Sequence, residues 1–464
     1  MKASKTYACR RVLKGELKGI EISQSDGPLS TLENVGLRVL KFHLPKKRSF
    51  TGNQRGLTLP ETVHDRHDMV RAFPYDVVII GGGINGAGIA RDAAMRGLKV
   101  LLIDKGDLGA ATTSASTRLI HGGLRYLEHF EFGLVRESLR EREILLKIAP
   151  HLVKPLAITI PIYKQSKRGR LTIRAGMILY DLLSWGKSLP GHRMLSRAET
   201  LERWPGLNPE GLVGSALYYD AQVEFPERLV VENVHSAQGF GAEVLTHTRV
   251  TKLSVENGKV SGVEFVDEDG RQQFAGARVV INAAGPWIDQ VLERAPVASP
   301  KLIGGTKGSH IVVAPFPGAP ANAIYLEARS DGRPLFIIPW NKLYLIGTTD
   351  VRFEGDPDEV RCELWEIDYL LSETNLALPA AGLTRDSILQ TFSGVRPLPA
   401  NSITRRHFIR DHPRLPNLLS IVGGKLTTYR SLSEECVDVI FRKLGKDSPA
   451  CRTATEVLDA DERG

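Results

Sequence analysis

Cysteine is scarce: Cys9, Cys362, Cys436 and Cys451 are the only four in 464 residues, and no two have metal-type or redox-type spacing. A disulfide scaffold is excluded, no metal site is expected, and the thiols read as reduced ones in a cytoplasmic compartment. No apolar run approaches the roughly 20 residues that span a bilayer, so a transmembrane protein is excluded too. Internal repeats, low-complexity tracts and a secretory h-region are missing. Acidic excess is also missing, but the net charge of +8 is unevenly spread: residues 1–68 hold thirteen Lys/Arg and seven Asp/Glu, 13 − 7 = +6, leaving 8 − 6 = +2 for the rest. A main body so nearly balanced gives no support for nucleic-acid binding.

What is there is an ordinary globular composition, 42% hydrophobic and 25% charged, in a chain long enough for two intertwined domains. Up to about Arg71 neither helical nor strand periodicity is sustained. The segment is basic, as transit peptides are, yet carries acids that they avoid. Met69 precedes the first convincing strand, so residues 1–70 read as an upstream extension without a fold of its own.

From Tyr75 the pattern changes. Asp76–Ile80 is a β-branched apolar run, followed by a glycine cluster, an alanine-rich helical stretch to Gly97, and a second apolar run, Val100–Ile103, ending in Asp104. The cluster places G-x-G-x-x-G at Gly81, Gly83 and Gly86: the first glycine permits a tight turn, the second lets backbone approach a pyrophosphate, and the third lets helix pack on strand. Asp104, 23 residues after Gly81, stands where an acid accepts ribose hydroxyls. Val279–Ile281 and Leu418–Val422 read as further strands of the same parallel sheet. His310–Ala314, Leu335–Pro339 and Leu343–Ile346 read as antiparallel strands of a second domain. The loop from Ala111 to Tyr126 combines hydroxyls, Gly122-Gly123, His121, Arg118 and Arg125, and is long enough to wrap a second cofactor half.

The blocks Gly81–Asp104, Ala111–Glu128, Asn282–Trp287, Lys307–His310, Ile346–Asp350, Ser393–Leu398 and Gly423–Arg430 closely resemble the flavin-dependent glycerol-3-phosphate dehydrogenases, in order, from about Tyr75 to about Leu444. The resemblance implies FAD and an α/β fold: a Rossmann-like FAD-binding domain (71–150, 210–297 and 404–450) with an inserted antiparallel-sheet substrate domain (151–209 and 298–403), then a tail at 451–464. It implies cofactor contacts from Gly81, Gly83, Asn85, Gly86, Asp104, Lys105, Thr112, Thr113, Ser116, Arg118, Leu119, His121, Gly285, Gly423, Gly424, Leu426 and Thr427. Substrate contacts would come from Arg125, His310, Arg396, Arg405 and Lys425, and catalysis from His121, Arg125, Tyr126, Arg396 and Lys425. Two departures stand out: residues 1–68 have no counterpart in the family pattern, and the helical C-terminal domain of longer members is absent.

Chemistry agrees with this. A phosphate ester needs charge-assisted donors, and Arg supplies them bidentately. Oxidising a secondary alcohol moves a hydride from carbon 2 to the flavin while the hydroxyl loses a proton. His121 is a candidate base, since imidazole titrates near neutrality, and equally a histidine that only fixes the loop; Lys425 or Arg396 could instead polarise the alkoxide. Helix Leu426–Leu444 would aim its N-terminus at the flavin.

The stretch Tyr163–Leu183 combines Lys164, Lys167, Arg168, Arg170 and Arg174 with Ile173, Met177, Ile178 and Leu182. It reads equally as a core-facing helix or as one lying on an anionic membrane surface. Partners implied are glycerol 3-phosphate and a quinone or other acceptor, with peripheral contact to the inner face of the cytoplasmic membrane and a homodimer both left open. Alternatives at this point are an FAD-dependent oxidase or dehydrogenase of an amino acid or 2-hydroxy acid, an oxygen-using glycerol-3-phosphate oxidase, and a flavin-bearing protein without activity.

Overall fold

A computed structural model describes residues 75–400 and 406–458. The readings of residues 1–70, Cys9 and Arg405 lie outside them. Strand Tyr75–Ile80 pairs in parallel with Val100–Ile103 on one side and Gln272–Asn282 on the other. Leu418–Val422 adds in parallel beyond Gln272–Asn282, and Glu243–Leu245 beyond Val100–Ile103. Val77–Ile80, Val100–Ile103 and Leu418–Val422 are buried on both faces, as a covered parallel sheet requires, while Glu243–Leu245 at the edge is partly exposed. The alternation is clean. Val77, Ile79, Val100 and Leu102 pack under helices Ile84–Met95, Pro226–Gly239 and Tyr429–Leu444. Val78, Ile80, Leu101 and Ile103 pack on the other side, against strands Arg249–Glu256 and Lys259–Val266.

Among the described residues the second sheet has ten strands and is mostly antiparallel. Its centre runs Thr306–Val313, Leu343–Gly347, Pro334–Trp340, Ala323–Glu327, Val153–Tyr163, Leu212–Val223. Strand Ile388–Arg396 lies antiparallel along Thr306–Val313 and carries Arg396 at its end. Two boundaries differ from expectation. Leu212–Val223 was expected in the first domain but pairs along its whole length with Val153–Tyr163, and Leu119–Ile120 joins the same sheet. An apolar strand reads alike in either sheet; only its hydrogen-bond partner decides. The expected tail is also packed as far as it is described: Leu458 is buried, and its N–H donates to the Ile148 carbonyl at 2.7 Å.

Helix Arg170–Leu183 divides the two readings of its apolar residues. Ile173 and Met177 face the core with Tyr180, whereas Leu171, Ile178, Leu182 and Trp185 are exposed along one stripe. Ile173 and Met177 are therefore unavailable to a membrane. Arg168 is likewise engaged, paired with Glu128 and Glu327.

Helix Phe132–Ile148 is tied to helix Tyr429–Leu444 by a bidentate ion pair, Arg430 to both Glu141 oxygens at 2.7 Å. Both side chains are almost wholly buried. Removing one partner strands the other in the core, so Glu141→Gln should lower the free energy of urea unfolding by about 3–5 kcal/mol. An unchanged urea midpoint would show that the pair is solvated.

Candidate active site

The first turn of the nucleotide sheet holds three glycines for three different reasons. Gly81 has φ +110°, and a Cβ there would lie 2.6 Å from the Ala283 carbonyl oxygen. A Cβ at Gly86 would lie 1.9 Å from the Gly81 carbonyl oxygen, so helix and strand meet backbone to backbone. Gly83 is different. Its φ of −75° suits any residue, and a Cβ there would meet only the Thr113 hydroxyl, at 3.6 Å. Neither packing nor backbone strain demands glycine at this position. It stands at the N-cap of helix Ile84–Met95, where the helix dipole favours an anion. No acid occupies that first turn.

Side chains from distant segments converge on this helix start. Thr113 Oγ1 accepts from the Ile84 N–H at 3.2 Å. Asn85 reaches the Gly423 carbonyl at 3.5 Å, while its buried Oδ1 has no hydrogen-bond partner among the described residues. Gly423 and Gly424 both have positive φ, +78° and +101°. A Cβ at Gly424 would come within 3.1 Å of the Asn85 amide, so the two glycine turns touch. Asp104 accepts from Gly82 N–H at 2.6 Å and Gly106 N–H at 2.7 Å. Burial pushes its carboxyl up, against those two donors and nearby cations. Helix Tyr429–Leu444 starts three residues later than expected, because Lys425–Thr428 form a turn and Thr427 is engaged elsewhere. Its hydroxyl bridges the backbone of His121, accepting from N–H at 3.1 Å and donating to the carbonyl at 3.4 Å.

The cations arrive on separate supports. Lys425 Nζ sits 3.8 Å above the Tyr126 ring and donates to Ser138 Oγ at 3.3 Å. Arg396 donates through Nη1 to Asp350 at 3.0 Å and through Nη2 to the Thr348 hydroxyl at 3.1 Å and the Thr349 carbonyl at 3.3 Å. The Gly423 N–H donates to the Pro397 carbonyl at 3.0 Å, which draws the Arg396 strand end beside the Lys425 turn. The His121 backbone, the Tyr126 ring and the end of the Arg396 strand thus all reach the segment Gly423–Thr428.

The other expected residues have varied surroundings. Arg125 is exposed and lines a separate cavity with Arg168 and Tyr325, because its short 3-10 helix Leu124–His129 turns it away from Tyr126. His310 is wholly buried, with Nε2 at 3.0 Å from the Thr117 hydroxyl and its ring stacked on Phe392. Burial and the nearby Arg396 and Arg118 push its pKa down to about 3, so it carries no charge to offer a phosphate. Arg118 is also buried: it donates to the Glu224 and Ser114 carbonyls and lies over the Trp340 ring. Its role there is to anchor the loop. Lys105 pairs with Asp358 at 2.6 Å and covers Trp287, and Thr112 donates to the Val395 carbonyl at 2.7 Å. Ser116 accepts from the Arg118 N–H, Leu119 is core, Leu426 is half-buried, and Gly285 takes φ +58° in the turn after Asn282. Sequence reasoning overlooked Thr348, Asp350 and Ser138, the partners of the two cations. The first two lay inside a recognised block; Ser138 gave no signal.

The profile of the FAD dependent oxidoreductase family matches residues 76–428. The glycerol-3-phosphate dehydrogenase of Synechocystis sp. is 52% identical over 418 residues, 85% of this chain and 76% of that protein. The aerobic glycerol-3-phosphate dehydrogenase of Escherichia coli is 45% identical over 374 residues, 78% of this chain and 72% of that one. Among solved structures, the FAD complex of glycerol-3-phosphate dehydrogenase from Bacillus halodurans superposes with a TM-score of 0.68 at 31% identity, over 85% of this chain and 70% of its own. The cofactor is FAD, and the residues fit it: the room at Gly83 and the helix N-terminus, with no acid in its first turn, suit a pyrophosphate-bearing ligand.

Because the chain itself leaves room at Gly83, Gly83→Val should fold with an apoprotein melting temperature like that of wild type yet purify without yellow colour, read as the 450 to 280 nm absorbance ratio. Full flavin content would remove this turn from the cofactor site. A second expectation concerns pH. His310 stays neutral when folded, whereas an unfolded imidazole takes up a proton below about pH 6.5. Stability is therefore lost as pH falls from about 6.5 toward 3, by up to about 1.4 kcal/mol per pH unit from this group. Urea unfolding of His310→Asn should show a shallower pH slope than wild type in that window, and parallel slopes would refute the assignment.

Proposed function

The chain belongs to the FAD-dependent oxidoreductase family, among its glycerol-3-phosphate dehydrogenases, and from that premise we propose that it oxidises sn-glycerol 3-phosphate to dihydroxyacetone phosphate at the site around Lys425 and Arg396. The observation that carries the reading is the pair of cations held from separate supports beside the second glycine turn. Two convergent cations match a phosphate dianion better than the single arginine that an amino-acid or hydroxy-acid oxidase would need.

Bound FAD supplies a hydride acceptor. The chain does the rest. Arg396 presents its guanidinium edge to the phosphate, with Asp350 and Thr348 fixing its plane. Lys425, propped on the Tyr126 ring, offers the same phosphate a second, point-like charge. His121 takes the hydroxyl proton: Thr427 clamps its backbone on both sides, and its side chain is not sealed in the core as that of His310 is.

The electrons pass to a membrane quinone, on this reading. A cavity of about 300 Å³ has an apolar wall of Leu124, Leu127, Ile160, Ile173 and Tyr325 and a charged side of Arg125, Glu128, Arg168 and Glu327. It shares the turn Leu124–His129 with Tyr126, so one short segment separates it from the Lys425 site. Beside it Leu171, Ile178, Leu182 and Trp185 form an exposed stripe, with Lys164, Lys167 and Arg174 exposed around them. Each cation near an anionic lipid surface contributes about 1 kcal/mol, so three add to apolar burial enough for reversible peripheral docking at the inner face of the cytoplasmic membrane. Among the described residues no helix is long and apolar enough to cross a membrane.

The test is spectroscopic. Anaerobic glycerol 3-phosphate should bleach the flavin, and a quinone analogue in anionic liposomes should restore its colour faster than oxygen does. A spectrum unmoved by glycerol 3-phosphate would sink the substrate; peroxide released as fast as quinone is reduced would sink the acceptor and favour the oxidase.

A further inference from the structure

Behind Arg396 lies a buried polar cluster that none of the steps above uses. Glu366, in the first turn of helix Leu364–Ala377, is 0% exposed. Its Oε1 accepts from Thr349 Oγ1 at 2.7 Å and Ser309 Oγ at 2.8 Å. Its Oε2 pairs with Lys307 Nζ at 2.7 Å and accepts from the Glu363 N–H at 2.9 Å. Burial pushes this carboxyl up, but the Glu363 N–H, Lys307, Thr349 and Ser309 together hold it below its ordinary range. A buried pair of this kind adds little net stability, since desolvation offsets its attraction.

What the cluster does is immobilise Thr349. The Thr349 hydroxyl also accepts from the Ser309 N–H at 2.9 Å, and its own N–H donates to the Ser309 carbonyl at 3.3 Å. Thr349 is therefore held through both side chain and backbone, and its carbonyl and the neighbouring Thr348 hydroxyl receive Arg396. The guanidinium lies flat on the strand below: a Cβ at Gly308 would come within 2.1 Å of Arg396 Nη2. A displacement of Thr349 would move the carbonyl that receives Arg396 and so tilt the plane that the guanidinium presents.

We propose that Glu366 is a positioning residue: by gripping Thr349 it sets the plane in which Arg396 meets the substrate phosphate. The inference rests on the reading of this site as one for glycerol 3-phosphate. It accounts for a charged cluster, built of residues from three separate segments, lying directly behind one functional arginine.

Two variants test it. Glu366→Gln keeps the size and removes the charge. Thr349→Val removes only the hydroxyl that Glu366 grips, leaves the pair with Lys307 intact, and decides alone if Glu366→Gln does not fold. Each should raise KM for glycerol 3-phosphate by about ten- to a hundredfold, with flavin content unchanged and kcat moved less, because misplacing a clamp weakens binding before chemistry. The dissociation constant of inorganic phosphate, titrated calorimetrically, should rise in parallel. In an Arg396→Lys background both variants should change either constant less than about twofold, since the group they orient is gone. Equal effects in both backgrounds, or a phosphate affinity that Thr349→Val leaves alone, would overturn the proposal. Wild-type turnover of glycerol 3-phosphate, measured in the same series, tests the substrate reading separately, and the phosphate titration needs no turnover.

Discussion

The contact between Gly86 and the Gly81 carbonyl governs much of the architecture. With 1.9 Å available for a Cβ, only glycine admits the helix to this depth, and the depth brings the helix start against the ends of the parallel strands. Gly88, two residues on, extends the same logic: a Cβ there would lie 2.4 Å from Ser433 Oγ, so helix Tyr429–Leu444 packs close as well. The two glycine turns, one after the first strand and one after Leu418–Val422, consequently meet at Asn85. A positive helix end, a backbone free of side chains and the loop hydroxyl of Thr113 are superimposed by that one approach.

Charge raises a second problem, since a phosphate site needs cations that are held firmly in one orientation. The chain solves it by placing buried polar clusters one layer behind the functional segments. Asp220 accepts from Arg142 at 2.6 Å and from Tyr180, whose hydroxyl also receives the Gly122 N–H beside His121. Glu141 and Arg430 stand behind the Lys425–Thr428 turn, and Glu366 with Lys307 stands behind Thr349. Such clusters add little to net stability compared with apolar packing. Their value is directional, because hydrogen bonds in a low-dielectric interior hold angles as well as distances.

Tyr180 joins that interior scheme to the surface. It lies on helix Arg170–Leu183, whose opposite stripe exposes Leu171, Ile178 and Leu182. One helix therefore carries both the proposed lipid-facing residues and a hydroxyl bonded to the active-site loop. The same economy appears in the turn Leu124–His129, with Tyr126 facing the Lys425 site and Leu124 and Leu127 facing the cavity.

The sequence by itself determined what is local. Gly81, Gly83, Gly86 and Asp104 belong to one strand, turn, helix and strand unit, so their spacing carried the nucleotide fold and, with the other six blocks, the FAD-dependent family. The strands Val279–Ile281 and Leu418–Val422 were legible because a run buried on both faces is apolar at every position. What only the tertiary structure decided concerns partners far apart in the chain. Leu212–Val223 looks the same in either sheet until its hydrogen bonds to Val153–Tyr163 are known. Arg125 and Tyr126 are adjacent in the motif, yet a tight turn sends them to different walls. His310 reads as a polar group for a ligand and is instead sealed against Phe392. Glu366 belongs to no motif; it acquires meaning only where Lys307, Ser309 and Thr349 close around it. Pattern reports the period of burial along one segment, whereas convergence depends on which segments approach, and that is settled by packing across hundreds of residues.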